Sequence, residues 1–260
     1  MRGRKKPWAQ DFIAAHEELK FNKDEKLDKP LTLEVGIGKG DFIVNNAKAN
    51  KDYIHIGVEL NESIYAIAMK KIVNENIDNI RMLNTKALDL PLLINENSIS
   101  KLYLNFSDPW PQNGYRKRRL VHPIHLEVFE KLLVDGGQLI FKTDNFKLFE
   151  MAVNNFKVRN YEITFISYDY QTIEGDFVTE YEARFRSQGL PIHRIAVNVK
   201  KDALKPWGEA SKYENYLFLI SLLQKNVVND IINLTLNILR IGEYNGWRRK
   251  KSRIRWNWLY

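Results

Sequence analysis

The chain has 260 residues, 44% of them hydrophobic, which is enough for one large domain or for one domain with an appendage. Its formal net charge is +8 at pH 7, a balance that is common in proteins that meet nucleic acid. It contains no cysteine, which excludes disulfides and thiolate metal sites and favours a reducing compartment. No apolar run follows the charged start, and no stretch approaches the roughly 18 apolar residues of a membrane span. We therefore predict a cytoplasmic protein that does not enter a membrane.

Residues 1–30 are polar and charged, and residues 11–19 predict a short helix with one apolar face. Four cations stand at the start of this segment, at Arg2, Arg4, Lys5 and Lys6. They suit a flexible arm that lies on a phosphate backbone, and they suit a disordered tail equally well. We treat residues 1–30 as a basic N-terminal arm.

A strand, a glycine-rich turn and a helix open the main domain. Residues 31–35 form a short strand of the buried type, residues 36–40 carry three glycines, and residues 41–49 have a helical pattern. This is the start of a nucleotide-binding unit, in which glycines permit a tight turn and let a ligand touch the backbone. Asp41 stands where a dinucleotide fingerprint needs glycine, and the turn does not match G-x-x-x-x-G-K-[ST]. The turn therefore lacks the features that bind a pyrophosphate or triphosphate.

The second strand covers residues 53–59 and ends on Glu59. An acidic residue in that place accepts hydrogen bonds from ribose hydroxyls, and Asn61 can cap the following helix instead. That helix runs from about Glu62 to Asn76, and residues 80–83 form the third strand. Lys86 then lies at a strand end that is expected to border an adenine pocket.

Strand four covers residues 101–106 and leads into Ser107-Asp108-Pro109-Trp110-Pro111. Two prolines that flank a tryptophan cannot continue a ladder, so the chain leaves the sheet at the carboxyl end of the strand. Asp108 and Trp110 therefore stand where open α/β sheets bind ligands. The four consecutive cations at 116–119 suit phosphate contacts. Taken alone, the segment is equally consistent with an ordinary polar turn and a solvated charge run.

The rest of the main domain continues the alternation. Helices are predicted at 122–133 and 146–156, and strands at 138–143 and 163–168, with Asp144 at the end of the first of these strands. Residues 192–199 alternate as a last, antiparallel strand. His122 and His125 have the spacing of a metal pair, but no third ligand is evident nearby, so we predict no metal site.

From about residue 202 the character of the chain changes. Residues 213–240 have the pattern of one or two amphipathic helices, and the last residues interleave cations with aromatic rings. Such an end suits nucleic acid, an acidic membrane surface or a disordered tail. We therefore divide the chain into the arm at 1–30, the main domain at 31–201 and a C-terminal extension of unknown role at 202–260.

The alternation of strands and helices predicts an α/β fold, a doubly wound, mostly parallel Rossmann-like sheet with helices on both faces and an antiparallel last strand. Charged residues collect at the carboxyl ends of its strands, at Glu34, Glu59, Lys86, Asp108 and Asp144. A glycine turn and an acidic ribose ligand, without phosphate-binding features, fit a nucleoside cofactor. S-adenosylmethionine is the expected one, because carboxylates attract its positive sulfonium and amino groups.

Several motifs together resemble one family. They occur in order over residues 1 to about 200: Lys6-Pro7-Trp8, Leu33-Glu34-Val35-Gly36, Gly38-Lys39-Gly40, Gly57-Val58-Glu59-Leu60, Asn105-Phe106-Ser107-Asp108-Pro109-Trp110-Pro111, Lys117-Arg118-Arg119-Leu120, Lys142-Thr143-Asp144-Asn145 and Thr179-Glu180-Tyr181-Glu182. The sequence resembles the bacterial tRNA (guanine-N7)-methyltransferases, which are class I S-adenosylmethionine-dependent enzymes. The resemblance implies methyl transfer to guanine N7 at position 46, in the variable loop of tRNA, by a monomer or homodimer.

The resemblance also implies roles for particular residues. The cofactor would be bound by Glu34, Gly36, Gly38, Glu59, Lys86 and Asp108. The catalytic residues would be Asp108 and Asp144. The guanine would meet Gln112, Asp144, Thr179, Glu180, Tyr181 and Glu182. RNA would contact Gly114, Tyr115, Arg116, Lys117, Arg118 and Arg119. Lys86 and Gln112 depart from the family pattern, which has Asp or Asn at the first position and usually Lys at the second.

Two other classes of function stay open at this point. One is a non-catalytic RNA-binding protein with a Rossmann-like core, against which the intact acidic residues argue. The other is a nicotinamide dehydrogenase, which Asp41 and the basic segment at 116–119 disfavour.

Overall fold

The computed structural model describes residues 6–173 and 176–207, without the side chains of residues 113 and 180. Two predictions lie outside the described residues: the arm formed by Arg2, Arg4 and Lys5, and the helices and cations beyond residue 207. Within the described part, no helix is both long and apolar enough to cross a membrane.

Seven strands form one sheet in the order β3-β2-β1-β4-β5-β7-β6. Their bounds are β1 Leu31–Val35, β2 Ile54–Val58, β3 Ile80–Leu83, β4 Ile99–Asn105, β5 Leu133–Thr143, β6 Glu162–Ser167 and β7 His193–Val199. The first five strands pair in parallel, and β7 runs antiparallel to both β5 and β6. The predicted mostly parallel α/β sheet with an antiparallel last strand is therefore confirmed.

Seven α-helices connect or flank the strands in the described part. They are α1 Ala9–Ala14, α2 Asp41–Ala49, α3 Glu62–Asn74, α4 Leu90–Leu93, α5 Pro123–Leu132, α6 Phe146–Arg159 and α7 Glu180–Ser187. The patterns at α2, α3, α5 and α6 predicted these helices. The four-residue α4 is too short to show a period, and α7 falls between the predicted strands at 163–168 and 192–199, where the sequence predicted no helix.

Both faces of the sheet are packed, in two hydrophobic clusters. Leu33 and Val35 of β1 join a cluster with α5 and α6, which contribute Phe129 and Phe149. Ile80 and Met82 of β3 belong to the second cluster, with side chains of α2 and α3, while their neighbour Leu83 belongs to the first. Successive side chains of a strand point to opposite faces of the sheet, and helices cover both faces. Every position of a central strand is therefore buried, which explains the continuous apolar runs in the sequence.

The segment before β1 packs against the sheet. Ala9, Leu19 and Phe21 are buried, and the Phe21 amide donates a hydrogen bond to the Met82 carbonyl at 3.1 Å. The backbone amide of Lys6 donates to Ser63 Oγ at 3.0 Å. Residues 6–21 thus lie along α3 and β3. The division of the chain at residues 30 and 201 stays a prediction.

Candidate active site

Two neighbouring strands at the centre of the sheet, β1 and β4, end at the same edge. β2 lies on one side of β1 and β4 lies on the other, so the chain leaves the two strands in opposite directions. In open α/β sheets a ligand binds in the crevice at such a switch point, outside the carboxyl ends of the strands. The candidate site is built from the segments that follow these strands.

Glu34 of β1 lies below this crevice and is 4% exposed. The amide Nδ2 of Asn105, at the end of β4, donates to Glu34 Oε1 at 3.0 Å. Glu34 Oε2 has no hydrogen-bond partner among the described residues. Burial raises the Glu34 pKa to about 8, although the Asn105 hydrogen bond and the Lys142 charge oppose the increase. One carboxyl oxygen is therefore available for a positively charged or donating group.

The turn after β1 leaves open space above the sheet. Gly36 and Gly38 have φ angles of +83° and +56°, which side chains other than glycine rarely adopt. A Cβ atom added at either position would meet nothing within 4 Å. The backbone of the turn is fixed from below, because the Gly36 amide donates to the Val58 carbonyl at 2.8 Å. A ligand can thus approach the backbone of this turn directly.

Glu59 follows β2 and connects the glycine turn with the start of α3. Its Oε2 accepts from the Gly38 amide at 3.1 Å and its Oε1 accepts from the Asn61 amide at 2.8 Å. Asn61 caps α3, as predicted, since its Oδ1 accepts from the Ile64 amide at 3.1 Å. Burial raises the Glu59 pKa; these hydrogen bonds oppose the shift and the nearby Asp108 charge adds to it. Glu59 and the exposed Asp108 are therefore close enough for their charges to interact.

The Pro-Trp-Pro segment after β4 is held by Arg119. Trp110 has a φ of +40°, and the carbonyls of Pro109 and Trp110 accept from the Arg119 guanidinium at 2.9 Å each. A third guanidinium nitrogen lies 3.3 Å from Met151 Sδ, and burial lowers the Arg119 pKa. Arg119, which the resemblance assigns to RNA, therefore fixes the shape of the loop that carries Asp108.

The cations before Arg119 are arranged on a single 3₁₀ turn, Asn113–Arg118. The Arg118 guanidinium lies over the Trp110 and Tyr115 rings, 4.8 and 4.4 Å from their centroids. Gln112 is exposed. The remaining predicted RNA contacts are exposed as well, namely Gly114, Tyr115, Arg116 and Lys117. This exposed group, residues 114–118, is called the basic turn below.

Asp144 directly follows β5 and is partly buried. No described residue hydrogen-bonds or ion-pairs with its side chain. Thr179 caps α7, where its Oγ1 accepts from the Glu182 amide at 2.9 Å, and Tyr181 is exposed. Glu182 is completely buried and pairs with Lys142 and Arg186. Both Glu182 oxygens therefore have protein partners, unlike those of Asp144.

Comparisons with known proteins identify the family of the chain. A family model described as "Putative methyltransferase" matches residues 28–195. The tRNA (guanine-N(7)-)-methyltransferase of Geobacillus sp. (strain WCH70) is 41% identical over 209 residues, which are 76% of this chain and 95% of the relative. The enzyme of that name from Bacillus subtilis (strain 168) is 38% identical, over 76% of this chain and 98% of the relative. The chain belongs to the tRNA (guanine-N(7)-)-methyltransferase family.

A solved structure supports the fold alone. A chain titled as an antibiotic related methyltransferase superposes with a TM-score of 0.51 at 16% identity, over 76% of this chain and 99% of that chain. It therefore confirms the methyltransferase-type sheet.

Two other predicted positions have mainly local contacts. Lys86 is exposed before a 3₁₀ turn, and its carbonyl accepts from the Asp89 amide at 3.0 Å. At the start of α5, His122 Nδ1 accepts from the Ile124 amide at 3.3 Å. Among the described residues no group of three His, Cys, Asp or Glu side chains could hold a metal ion.

Three residues that support the site were not assigned any role from the sequence. Asn84 Nδ2 donates to the Glu59 carbonyl at 2.7 Å, and Asn105 holds Glu34. Lys142, on β5, is buried against α7. The Lys142 position carries a signal, because it is a cation within the apolar strand pattern at 138–143. The contacts of Asn84 and Asn105 join different strands, so no local pattern indicates them.

Proposed function

We propose that this protein transfers the methyl group of S-adenosylmethionine to N7 of a guanine in tRNA, forming 7-methylguanosine, and that the guanine is at position 46. The observation that carries the proposal is the 41% identity across almost the whole of a relative with this named activity. A non-catalytic RNA-binding protein is not favoured, because the acidic groups at the crevice are intact and available. We propose that the reaction takes place in the cytoplasm, and the lack of cysteine is consistent with a reducing compartment.

The residues at the crevice fit the cofactor. The open glycine turn has room for it, and the free oxygen of Glu34 suits its positive amino group. Ribose hydroxyls can donate to Glu59, as acidic residues at this strand end accept them in related folds. The full set proposed to hold it is Glu34, Gly36, Gly38, Glu59, Lys86 and Asp108. When bound, the cofactor supplies a methyl group on a positively charged sulfur.

The chain's own residues orient the base and stabilise charge. Guanine N7 has a free lone pair, so no general base has to remove a proton, and the main task is alignment. The methylated base becomes cationic, and carboxylates placed beside it stabilise the charge that develops. Asp144 suits this role because no described residue pairs with its side chain. Asp108, exposed on the opposite loop, is the second catalytic candidate.

The guanine and its RNA are expected on the side of β5 and of the basic turn. Asp144 can accept from the N1–H and amino edge of guanine, which selects it against adenine. Thr179, Glu180 and Tyr181 begin α7 beside it, and Gln112 borders the loop after β4. In the basic turn, Arg116 and Lys117 can reach phosphates, and Tyr115 presents a ring for stacking.

The activity is tested by incubating mixed tRNA with the purified protein and S-adenosylmethionine labelled in the methyl group. Digestion and chromatography should give 7-methylguanosine as the labelled nucleoside, and its position is read from the modified tRNA. Label in 1-methylguanosine or methyladenosine, without 7-methylguanosine, would show that the proposed function is wrong.

Glu59→Ala should weaken cofactor binding by about 1–3 kcal/mol, because it removes charge-assisted hydrogen bonds. The substitution also frees the Gly38 amide, which Glu59 holds at 3.1 Å. Calorimetric titration with S-adenosylmethionine measures the effect, and the exposed Glu96→Ala is the matched control. Unchanged affinity in a folded Glu59→Ala protein would remove Glu59 from the cofactor site.

A chain ended after Trp207 should still methylate tRNA, but bind it with weaker salt dependence. Trp207 is kept because it packs against the core and lies under the Arg159 guanidinium, 5.3 Å from the ring centroid. For every cation at 248–255 that binds a phosphate, its removal should reduce the slope of log affinity against log salt by about one unit. Binding titrations at several salt concentrations give the slopes. Equal slopes for the two chains would mean that residues 208–260 bind no phosphate.

A further inference from the structure

Lys142 is a buried cation beside the proposed catalytic site. It is 1% exposed on β5, two residues before Asp144. Its Nζ lies 3.0 and 3.2 Å from the two carboxylate oxygens of Asp176, and 3.3 Å from both Glu182 Oε2 and the Phe177 carbonyl. A buried cation without such partners would be strongly destabilising. The Lys142 charge therefore holds Asp176 and Glu182 close to the end of β5.

The hydrogen-bond partners of Lys142 all belong to one segment, residues 176–182. Asp176 and Phe177 precede α7, and Glu182 is in its first turn. Thr179 caps the same turn, and Tyr181 projects from it with an exposed side chain. One ammonium group therefore holds both ends of residues 176–182, between which the proposed guanine contacts lie.

A second cation completes the arrangement around Glu182. Arg186, one turn further along α7, donates to Glu182 Oε1 at 2.6 and 3.0 Å. Both carboxylate oxygens of Glu182 are thereby engaged within the protein. Glu182 thus orients the start of α7, and its predicted contact with the guanine stays a prediction for a side chain that is completely buried in the free protein. This separates its role from that of Asp144, whose oxygens are available.

Lys142 also faces the cofactor side of the crevice. In the sheet register it is the partner of Asn105, whose amide donates to Glu34. Lys142 is therefore next to Asn105, which holds the proposed cofactor ligand Glu34. It is also bound to residues 176–182, which contain the proposed guanine contacts.

We propose that Lys142 is a positioning residue for the RNA substrate: its ammonium fixes residues 176–182 over the end of β5, so that Thr179 and Tyr181 meet the target guanine beside Asp144. The proposal rests on the proposed function and adds to it what holds the base-binding segment in place. It predicts that removal of the charge lowers kcat/KM for tRNA much more than it lowers the affinity for S-adenosylmethionine.

The test replaces Lys142 by methionine, which keeps the length of the side chain and removes its charge. In Lys142→Met, kcat/KM for tRNA should fall roughly 10- to 100-fold, as for a displaced substrate-positioning group. The affinity for S-adenosylmethionine, measured by titration without tRNA, should fall much less than kcat/KM for tRNA, although loss of the Lys142 charge removes one of the influences that lower the Glu34 pKa. Lys157→Met, an exposed lysine at the far end of α6, is the control for the chemical change.

Hydrogen exchange gives a readout that does not require activity. Amides of residues 176–187 should exchange faster in Lys142→Met than in the wild type, while those of β1 and β2 keep their protection. If Lys142→Met does not fold, Asp176→Asn tests the same ion pair from the partly exposed side and should show a smaller change of the same kind. Unchanged exchange and unchanged tRNA kinetics in the folded variant would overturn the proposal, as would an equal loss of cofactor affinity. Failure of the proposed function is distinguishable, because the wild-type chain would then form no 7-methylguanosine.

Discussion

Asp144→Asn is expected to reduce turnover roughly 100-fold or more while it changes the affinity for tRNA little. Asparagine keeps the size of the side chain and loses the charge that we propose faces the base as it becomes cationic. The effect is expected to be large because Asp144 is partly buried and no described residue neutralises its charge. A group that acts mainly in the transition state lowers kcat and kcat/KM together when it is removed.

Single-turnover methylation with saturating tRNA measures the chemical step, and a binding titration gives the affinity for tRNA. Asp52→Asn makes the same change at an exposed residue before β2, at the opposite edge of the sheet, and should leave both values unchanged. Turnover close to that of the wild type in Asp144→Asn would show that Asp144 supports the loop without acting in the reaction.

The parts of the fold that sequence predicted are those with local causes. The glycine turn after residues 31–35 and the helix at 41–49 follow from a short-range pattern, and the structure has both at these bounds. Asn61 has the local geometry of a helix cap, which needs only the three following residues. The carboxyl ends of parallel strands share an edge, so the acidic residues at those ends could be grouped before the structure was known.

The parts that sequence did not predict depend on long-range contacts. Lys142 and Glu182 are 40 positions apart, and nothing local indicates that they form an ion pair. Arg119 donates to the carbonyls of Pro109 and Trp110, a contact that the run of cations at 116–119 does not indicate, and its contact with RNA stays a prediction. Similarly, the burial of Phe21 depends on β3, which lies about 60 residues further along the chain. In each case the local sequence pattern is that of an exposed residue, and the residue is buried or paired because of a partner that is distant in sequence.

Glu34→Gln should make the cofactor-free protein more stable at alkaline pH while it weakens cofactor binding. In the folded state burial raises the Glu34 pKa from 4.5 to about 8. Between these values the folded protein keeps a proton that the unfolded chain releases, so stability falls as pH rises through this window. Each pKa unit corresponds to about 1.4 kcal/mol, so the full decrease approaches roughly 5 kcal/mol above pH 8. Glutamine stays neutral, and the decrease disappears.

Urea unfolding of the cofactor-free protein between pH 5 and 9 gives the two stability curves, and their difference isolates Glu34. Burial lowers the pKa of His55 and of His125, so both proteins lose stability equally as pH falls below about 6.5. The exposed Glu96→Gln should follow the wild type throughout. Parallel curves for the wild type and Glu34→Gln would mean that Lys142 already keeps Glu34 ionised, and the prediction would be wrong.

Cofactor binding should shift the same titration in the opposite direction, because a positive amino group beside Glu34 Oε2 should lower the pKa of the carboxyl. Binding at pH 7 should therefore release a proton from the wild type, which calorimetry detects in buffers of different ionisation enthalpy. Glu34→Gln has no such proton, and it should bind S-adenosylmethionine roughly 10- to 100-fold more weakly because it cannot form the charge-assisted hydrogen bond. The same number of protons released by both proteins would place the amino group away from Glu34. On this proposal, burial makes ionisation of Glu34 unfavourable in the free protein, and the positive charge of the bound cofactor makes it favourable.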